Sequence, residues 1–183
     1  MRVIAGTRRS MPLKAPAGMD TRPTQDRTKE TLFNVLQTKI PGSVFLDLFA
    51  GSGAIGIEAL SRGAKKAVFV EKSAKAVACI KENLNFTRFL SESEILETDV
   101  LCALERLKNH EEFDVIFMDP PYDMEIEPEV LKAFNKMPSV SEFTTIVIES
   151  KLKRNFDFIN ELGYEIEKIK EYKSNAHIFI RKK

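Results

Sequence analysis

From residue 43 onward, short apolar runs alternate with stretches in which apolar residues recur at helical spacing. The five runs are rich in Val, Ile, Leu and Phe, and they are Val44–Leu48, Ala67–Val70, Glu94–Thr98, Phe113–Met118 and Phe143–Ile148. Such runs are typical of strands buried on both faces. Between them, Ser73 can cap a helix and Pro128 can open another. The alternation predicts an α/β fold, an open, mostly parallel sheet with helices on both faces.

Both ends of the chain depart from this alternation. Near the C-terminus, a short helix over Asn155–Leu162 is followed by two predicted strands, Tyr164–Tyr172 and His177–Arg181, which form an antiparallel edge hairpin. The first residues predict a small hairpin between Arg2–Ala5 and Met11–Lys14, and then a helix over residues 24–37. We expect one domain over residues 1–183, in which residues 1–42 extend a seven-stranded core formed by residues 43–183.

The composition excludes several classes of protein. Hydrophobic residues make up 43% of the chain and charged residues 30%, which is ordinary for a globular protein. No apolar run approaches the roughly 18–20 residues that a membrane span needs, and the N-terminus lacks the apolar region of a signal peptide. Two Cys and two His, widely spaced, predict neither a disulfide framework nor a metal site. We expect a cytoplasmic monomer.

Charge is distributed unevenly, although the net charge is only +1. Residues 1–30 contain seven basic and three acidic side chains, a net charge of +4, so the remainder carries −3. A basic end favours an anionic partner, whereas the alternative is a basic leader without a partner. The candidates for phosphate contacts are Arg8, Arg9, Lys14, Arg22 and Arg27.

A glycine-rich loop follows the first predicted strand. Gly51, Gly53 and Gly56 form the pattern G-x-G-x-x-G, and Glu71 follows twenty residues after Gly51. This pattern favours a nucleoside-type ligand, and in its usual form it binds a dinucleotide. The alternative is a tight turn between strand and helix that binds nothing.

The charges around this loop distinguish the two ligand classes. Acids stand at or just after the ends of five strands, where an open α/β sheet binds its ligand, and they are Asp47, Glu71, Asp99, Asp119 and Glu149. At an effective dielectric constant of about 20, two unit charges 4 Å apart interact by roughly 4 kcal/mol. Such a crevice repels a pyrophosphate and attracts a cationic ligand. The pattern therefore favours S-adenosyl-L-methionine (SAM) over NAD.

The fourth strand ends in Asp119-Pro120-Pro121-Tyr122. Two prolines donate no backbone hydrogen bond and cannot continue a central strand. The segment thus offers only acceptors beside a flat aromatic ring, which suits an amino group on a planar base. Asp119 and the Pro120 carbonyl can each accept one N–H, and Tyr122 can stack on the base.

With this loop and this Asp-Pro-Pro-Tyr segment, the chain resembles SAM-dependent methyltransferases that act on exocyclic amino groups. The N-terminal stretches are similar to the start of the RsmD family, and they read Arg2-Val3-Ile4-Ala5-Gly6-Thr7-Arg8-Arg9, Arg22-Pro23-Thr24-Gln25-Asp26-Arg27 and Lys29-Glu30-Thr31-Leu32-Phe33-Asn34. One departure is Ala5-Gly6, where the family usually has Gly-Gly.

The resemblance implies a Rossmann-like class I SAM-dependent methyltransferase fold and methylation of guanine N2 in bacterial 16S rRNA. The substrate is then 16S rRNA or the assembled small ribosomal subunit. Asp119, Pro120, Pro121 and Tyr122 form the expected catalytic segment. The expected cofactor-binding residues are Asp47, Phe49, Ala50, Gly51, Gly53, Glu71, Lys72, Asp99, Val100 and Asp119.

Three alternatives remain at this point. The same segment can serve the N6 amine of adenine in DNA or RNA. The glycine loop alone is compatible with an NAD-dependent oxidoreductase. The last alternative is a noncatalytic ribosome-assembly factor that binds SAM.

Overall fold

The computed structural model of the protein describes residues 1–16, 24–121, 124–152 and 154–183, and of residues 24 and 25 only the backbone. The described residues form six α-helices and seven β-strands. The helices are α1 (Thr24–Val35), α2 (Ala54–Ser61), α3 (Ala74–Thr87), α4 (Val100–Leu107), α5 (Glu127–Phe134) and α6 (Asp157–Glu161). The strands are β1 (Val44–Asp47), β2 (Lys66–Glu71), β3 (Ser93–Glu97), β4 (Val115–Met118), β5 (Thr145–Lys151), β6 (Tyr164–Glu171) and β7 (Asn175–Lys182).

All seven strands join one sheet in the order β3-β2-β1-β4-β5-β7-β6. The first five pair in parallel, and β7 runs antiparallel between β5 and β6. The strands β1, β2 and β3 follow one another toward one edge of the sheet, and the chain then returns so that β4 pairs with the other side of β1. As a result, β1 and β4 lie side by side at the centre. The predicted α/β fold and its antiparallel C-terminal hairpin are confirmed.

Two hydrophobic cores cover the two faces of the sheet. One contains apolar side chains from α1, α2, α3 and the first residues of the chain, against Phe45, Phe69 and Phe117. The other packs α4, α5 and α6 against Leu46, Val68 and neighbouring strand residues. Side chains alternate between the faces along each strand, so one residue in two belongs to each core.

The N-terminal segment is tied to the first of these cores. Arg2 and Pro12 form an isolated antiparallel bridge, and the Val3 amide donates to the Met11 carbonyl at 2.9 Å. Val3 and Leu13 are both buried. The predicted pairing is therefore present as one bridge, and a 3₁₀ turn at Gly6–Arg8 connects its two halves.

The strand predicted to start at Phe113 starts at Val115, and the strand predicted to start at Phe143 starts at Thr145. Phe143 is 81% exposed, which corrects the expectation that it is a buried strand residue. The cause is a turn in which the Ser141 amide donates to Thr144 Oγ1 at 3.0 Å. The third strand spans Ser93–Glu97 and is half-buried, because it lies at the sheet edge.

Candidate functional site

A crevice of about 830 Å³ opens at the carboxyl ends of the parallel strands. It lies where β1 and β4 are neighbours but are followed by helices on opposite faces of the sheet. Open α/β sheets bind their ligands at such a point. The crevice is lined by acids from neighbouring strands. Asp47 and Glu71 end β1 and β2, Asp119 follows β4, and Glu149 lies late in β5.

The glycine loop joins β1 to α2 at the centre of the crevice. Gly53 has φ +77°, a left-handed conformation that glycine adopts without steric cost, and it directly precedes the first residue of α2. At Gly56, an added Cβ would lie 2.3 Å from the Phe69 ring, so only glycine lets α2 pack this closely on the sheet. Gly51 and Ala50 line the crevice, which leaves backbone close to any ligand bound there.

Asp47 is buried and incompletely hydrogen-bonded. Asp47 is only 1% exposed, and its Oδ2 accepts a hydrogen bond from the Gly56 amide at 3.2 Å. Oδ1 has no hydrogen-bond partner. Desolvation raises the pKa of Asp47 to about 7, with a further contribution from the charge of Glu71, although backbone amides oppose the shift. Asp47 lines the crevice, and an incompletely hydrogen-bonded carboxylate there is suited to a cationic group nearby.

Glu71, at the end of β2, connects the glycine loop to the start of α3. Its Oε2 accepts from the Gly51 amide at 2.9 Å, and its Oε1 accepts from the Ser73 amide at 2.8 Å. Each oxygen retains a further lone pair. Because both contacts hold the carboxylate in place, it can accept from a pair of hydroxyl groups, such as those of a ribose.

Asp119 lies directly after β4 and is accessible from the crevice. Protein surrounds its other sides, so desolvation raises the pKa of Asp119 well above its usual range, and the negative charges of Glu149 and Asp47 add to the shift. Pro121 also lines the crevice, whereas Pro120 is buried. The Asp119 carboxylate therefore faces the crevice.

A polar cluster from β5 and the hairpin forms the far wall. His177 is 1% exposed; its Nε2 lies 3.0 Å from Glu149 Oε2, and its Nδ1 lies 3.0 Å from the Tyr172 hydroxyl. Asn175 Nδ2 donates to Glu149 Oε1. Glu149, Asn175 and His177 line the crevice, so the antiparallel hairpin contributes to the site as well as to the sheet edge.

On the opposite side, α1 places Lys29 against the crevice. Lys29 is buried, and its Nζ donates to the Arg2 carbonyl at 2.7 Å and lies 3.4 Å from Glu58 Oε2. Desolvation lowers the pKa of Lys29, and the charge of Glu58 opposes this shift. The helix predicted from residue 24 is present, and Lys29 is a crevice residue rather than a surface residue.

Most of the predicted cofactor residues converge on this crevice. It is lined by Asp47, Phe49, Ala50, Gly51, Glu71, Lys72, Asp99, Val100 and Asp119. Gly53 is outside the lining and shapes the turn into α2. Asp99 caps α4, with its Oδ1 accepting from the Cys102 amide at 3.0 Å. Tyr122, predicted to stack on the base, lies outside the described residues.

Four of the five predicted phosphate-binding residues are described by the structure, and these four lie outside the crevice lining. Arg9 and Arg27 are exposed, and exposed Lys14 pairs with Glu82 at 2.7 Å. Arg8 is half-buried; its Nε donates to the Thr87 carbonyl at 2.7 Å and its guanidinium lies 5.1 Å from the centre of the Phe89 ring. Arg22 lies outside the described residues.

Sequence reasoning missed His177 and Asn175 as residues of the crevice. It placed His177 in the edge hairpin, which is correct, but it gave no sign that β7 lies beside β5. The register pairs Glu149 with His177. Polar residues at positions 175 and 177, just before the apolar residues 178–180 of β7, are the signal that could have identified them.

Within the described ranges, no group of three or more His, Cys, Asp and Glu side chains is arranged to hold a metal ion. No helix of the described part of the chain has the length and apolar character needed to cross a membrane.

A family model described as "Conserved hypothetical protein 95" matches residues 1–180. The chain belongs to this family. The resemblance to the RsmD family that the N-terminal stretches carry is thereby confirmed.

Individual relatives agree with this assignment. The chain is 41% identical over 132 residues to "Ribosomal RNA small subunit methyltransferase D" of Haemophilus influenzae, covering 72% of this chain and 68% of the relative. It is 39% identical over 150 residues to the Bacillus subtilis protein YlbH, covering 81% and 82%. The solved structure of the Escherichia coli protein yhhF has a TM-score of 0.84 at 27% identity, and covers 100% of this chain and 98% of that one. Sequence and fold thus point to the same family over nearly the whole chain.

Proposed function

We propose that this protein transfers a methyl group from SAM to the exocyclic N2 of a guanine in 16S rRNA of the small ribosomal subunit. The observation that carries the proposal is Asp119, placed after β4 beside an acidic crevice in a chain of the RsmD family. The curated relatives named as ribosomal RNA small subunit methyltransferases support rRNA as the substrate.

The acceptors around the crevice fit SAM. Its ammonium and sulfonium groups are cationic, and the carboxylates Asp47, Asp119 and Glu149 line the crevice. Glu71 can accept from the ribose hydroxyls, and Asp99, which follows β3, lines the same crevice. The volume of about 830 Å³ lies within the range of ligand sites in proteins. A pyrophosphate would meet the same carboxylates unfavourably, which disfavours NAD.

When bound, SAM supplies a methyl group that is already activated for direct transfer to nitrogen. The chain's own residues need only align the acceptor and exclude water from the contact. Asp119 and the Pro120 carbonyl accept the two N–H groups of the amine, which draws the nitrogen lone pair out of conjugation with the ring and toward the methyl group. After transfer the nitrogen is cationic, and it loses its proton without a strong base.

The acceptor base must leave its stack, because attack occurs out of the plane of the ring. An unpaired nucleotide is therefore a better substrate than a paired one. We propose that residues 1–42 form the RNA-facing extension of the domain, with Arg9 and Arg27 exposed for phosphate contacts. Lys14 can exchange its pair with Glu82 for a phosphate, since both side chains are solvent-exposed.

The test is transfer of radiolabelled methyl from SAM to small subunits, to free 16S rRNA and to DNA, followed by nucleoside analysis. The expected product is N2-methylguanosine in 16S rRNA. Label recovered as N6-methyladenosine would overturn the base assignment, and no transfer to any RNA would overturn the activity.

A further inference from the structure

We infer that Glu149 is a specificity-determining residue that accepts a hydrogen bond from guanine N1–H while Asp119 holds the adjacent amine. This inference rests on the proposed function. The proposed mechanism uses Asp119 to align the amine and gives Glu149 no role, so this inference assigns a role to the Glu149 carboxylate.

The sheet places Glu149 beside Asp119. β4 and β5 are parallel and pair Phe117 with Val147 and Met118 with Ile148, so the next positions along the two strands are residues 119 and 149. Both side chains line the crevice, and the negative charge of Glu149 raises the pKa of Asp119. Two carboxylates thus face one space from neighbouring strands.

The hairpin holds the Glu149 carboxylate in a fixed orientation. His177 contacts Oε2 at 3.0 Å, Asn175 contacts Oε1, and Tyr172 fixes the other ring nitrogen of His177 at 3.0 Å. The Glu149 side chain is 18% exposed, so one edge of it remains open to the crevice. A carboxylate has about four lone-pair positions, and these two contacts use only half of them.

The chemistry of two adjacent acceptors matches guanine. On its Watson–Crick edge the N2 amine stands next to N1–H, a second donor, and flipped bases are recognised through this edge. In adenine the N6 amine stands next to N1, which carries a lone pair and no hydrogen. A carboxylate beside Asp119 therefore attracts guanine and repels adenine, a form of selection that combines a contact with a repulsion.

The experiment uses the full-length protein and the RNA that the wild type methylates, with the target guanine replaced by 2-aminopurine or by 2,6-diaminopurine. Both analogues keep the N2 amine, and both have an unprotonated N1. In the wild type we expect kcat/KM to fall about 10- to 100-fold relative to guanine, the range for loss of one good base contact. In Glu149→Gln, whose amide can donate to N1, we expect the two substrates to differ by less than about threefold.

The ratio between substrates is independent of the fraction of folded enzyme, so a partly unfolded variant still gives an answer. If Glu149→Gln is inactive, the same ratio is read from competitive binding of the two RNAs. Glu105→Gln, on an exposed position of α4, is the matched control and should keep the wild-type ratio. An unchanged ratio in Glu149→Gln would overturn the inference alone, whereas a wild type that does not methylate guanine RNA would overturn the proposed function.

Discussion

Two buried carboxylates, Asp47 and Glu58, lie on opposite sides of the glycine loop and differ in how well they are hydrogen-bonded. Glu58 is 0% exposed, but it accepts from the Ile4 and Ala5 amides at 2.7 and 3.0 Å and from Arg62 Nε at 2.7 Å, and it pairs with Lys29. Asp47 is 1% exposed, accepts from Gly56, and leaves Oδ1 without a partner.

This difference suggests that Glu58 stabilises the fold, whereas Asp47 is placed for ligand binding. Four donors compensate for the desolvation of Glu58, and this carboxylate joins the N-terminal segment, α1 and α2 into one unit. Asp47 has less compensation, because only backbone amides donate to it and no basic side chain pairs with it among the described residues. Asp119 and Glu149 also line the crevice, so Asp47 belongs to the group of carboxylates that we propose binds SAM and the base, whereas Glu58 does not.

The largest loss of activity is expected on substitution of Asp119, one of the carboxylates that line the crevice. Asp119→Ala should lower the rate of methyl transfer by at least about 10²- to 10³-fold, since it removes a preorganised acceptor for the amine. The fold should be retained because the side chain is exposed. Single-turnover transfer with saturating RNA measures this effect.

Asp119→Asn serves as a graded control, because its amide oxygen keeps one acceptor, and its rate should fall between the wild type and Asp119→Ala. Equal activity in the wild type and Asp119→Ala would remove Asp119 from the mechanism.

On the structural side, Glu58→Gln should destabilise the fold by about 3–5 kcal/mol, because it leaves Lys29 buried without a counter-charge. Asp47→Asn, the matched change in the crevice, should lose little stability near pH 5. Urea unfolding of both variants measures the difference. If both cost the same free energy of unfolding, the contrast between them is wrong.

The stability of Asp47→Asn relative to the wild type should depend on pH, and the direction follows from the pKa of Asp47. The pKa of Asp47 is raised in the folded state, so its contribution to stability is present at low pH and is lost as the pH rises toward about 7. Asparagine does not titrate. The stability of Asp47→Asn relative to the wild type should therefore increase between pH 4 and pH 8.

Much of the fold could be predicted from the sequence, and the reasons are local. The apolar runs and the glycine loop are contiguous, so β1, β2, β4, β5 and the turn before α2 follow from spacing alone. The boundaries differed where side chains form turns, as at Ser141 and Thr144. The convergence of Asp47, Glu71 and Asp119 was also predictable, because parallel strands bring their carboxyl ends to one edge.

The remaining parts depend on long-range pairing. The partnership of Glu149 with His177 is set by the antiparallel register of β5 and β7, which no local pattern encodes. The burial of Lys29 depends on Glu58, twenty-nine residues away on another helix. The assignment to guanine came from family resemblance, since the residues alone specify an exocyclic amine.

RNA binding by the basic N-terminal region, which Glu58 holds through the Ile4 and Ala5 amides, should depend on salt concentration. If four phosphates are neutralised, the logarithm of the affinity should fall with the logarithm of salt concentration with a slope of roughly −3. Fluorescence anisotropy with a 16S rRNA fragment at 50–200 mM salt measures the slope. Arg9→Ala should make it shallower by about 0.7, whereas Arg106→Ala, an exposed position on α4, should not change it.

A slope near zero in the wild type would show that this region does not bind RNA through its phosphates, and the +4 charge of residues 1–30 would then have another cause.

The most direct test of the account is the affinity for SAM as a function of pH, measured by isothermal titration calorimetry for the wild type and Asp47→Asn. Ionisation of Asp47 near pH 7 should strengthen binding by roughly tenfold between pH 6 and pH 8. The difference between the variants isolates Asp47 from any titration of the ligand itself. This tenfold gain should be absent in Asp47→Asn; parallel pH profiles for the two proteins would show that Asp47 does not contribute its charge to SAM binding.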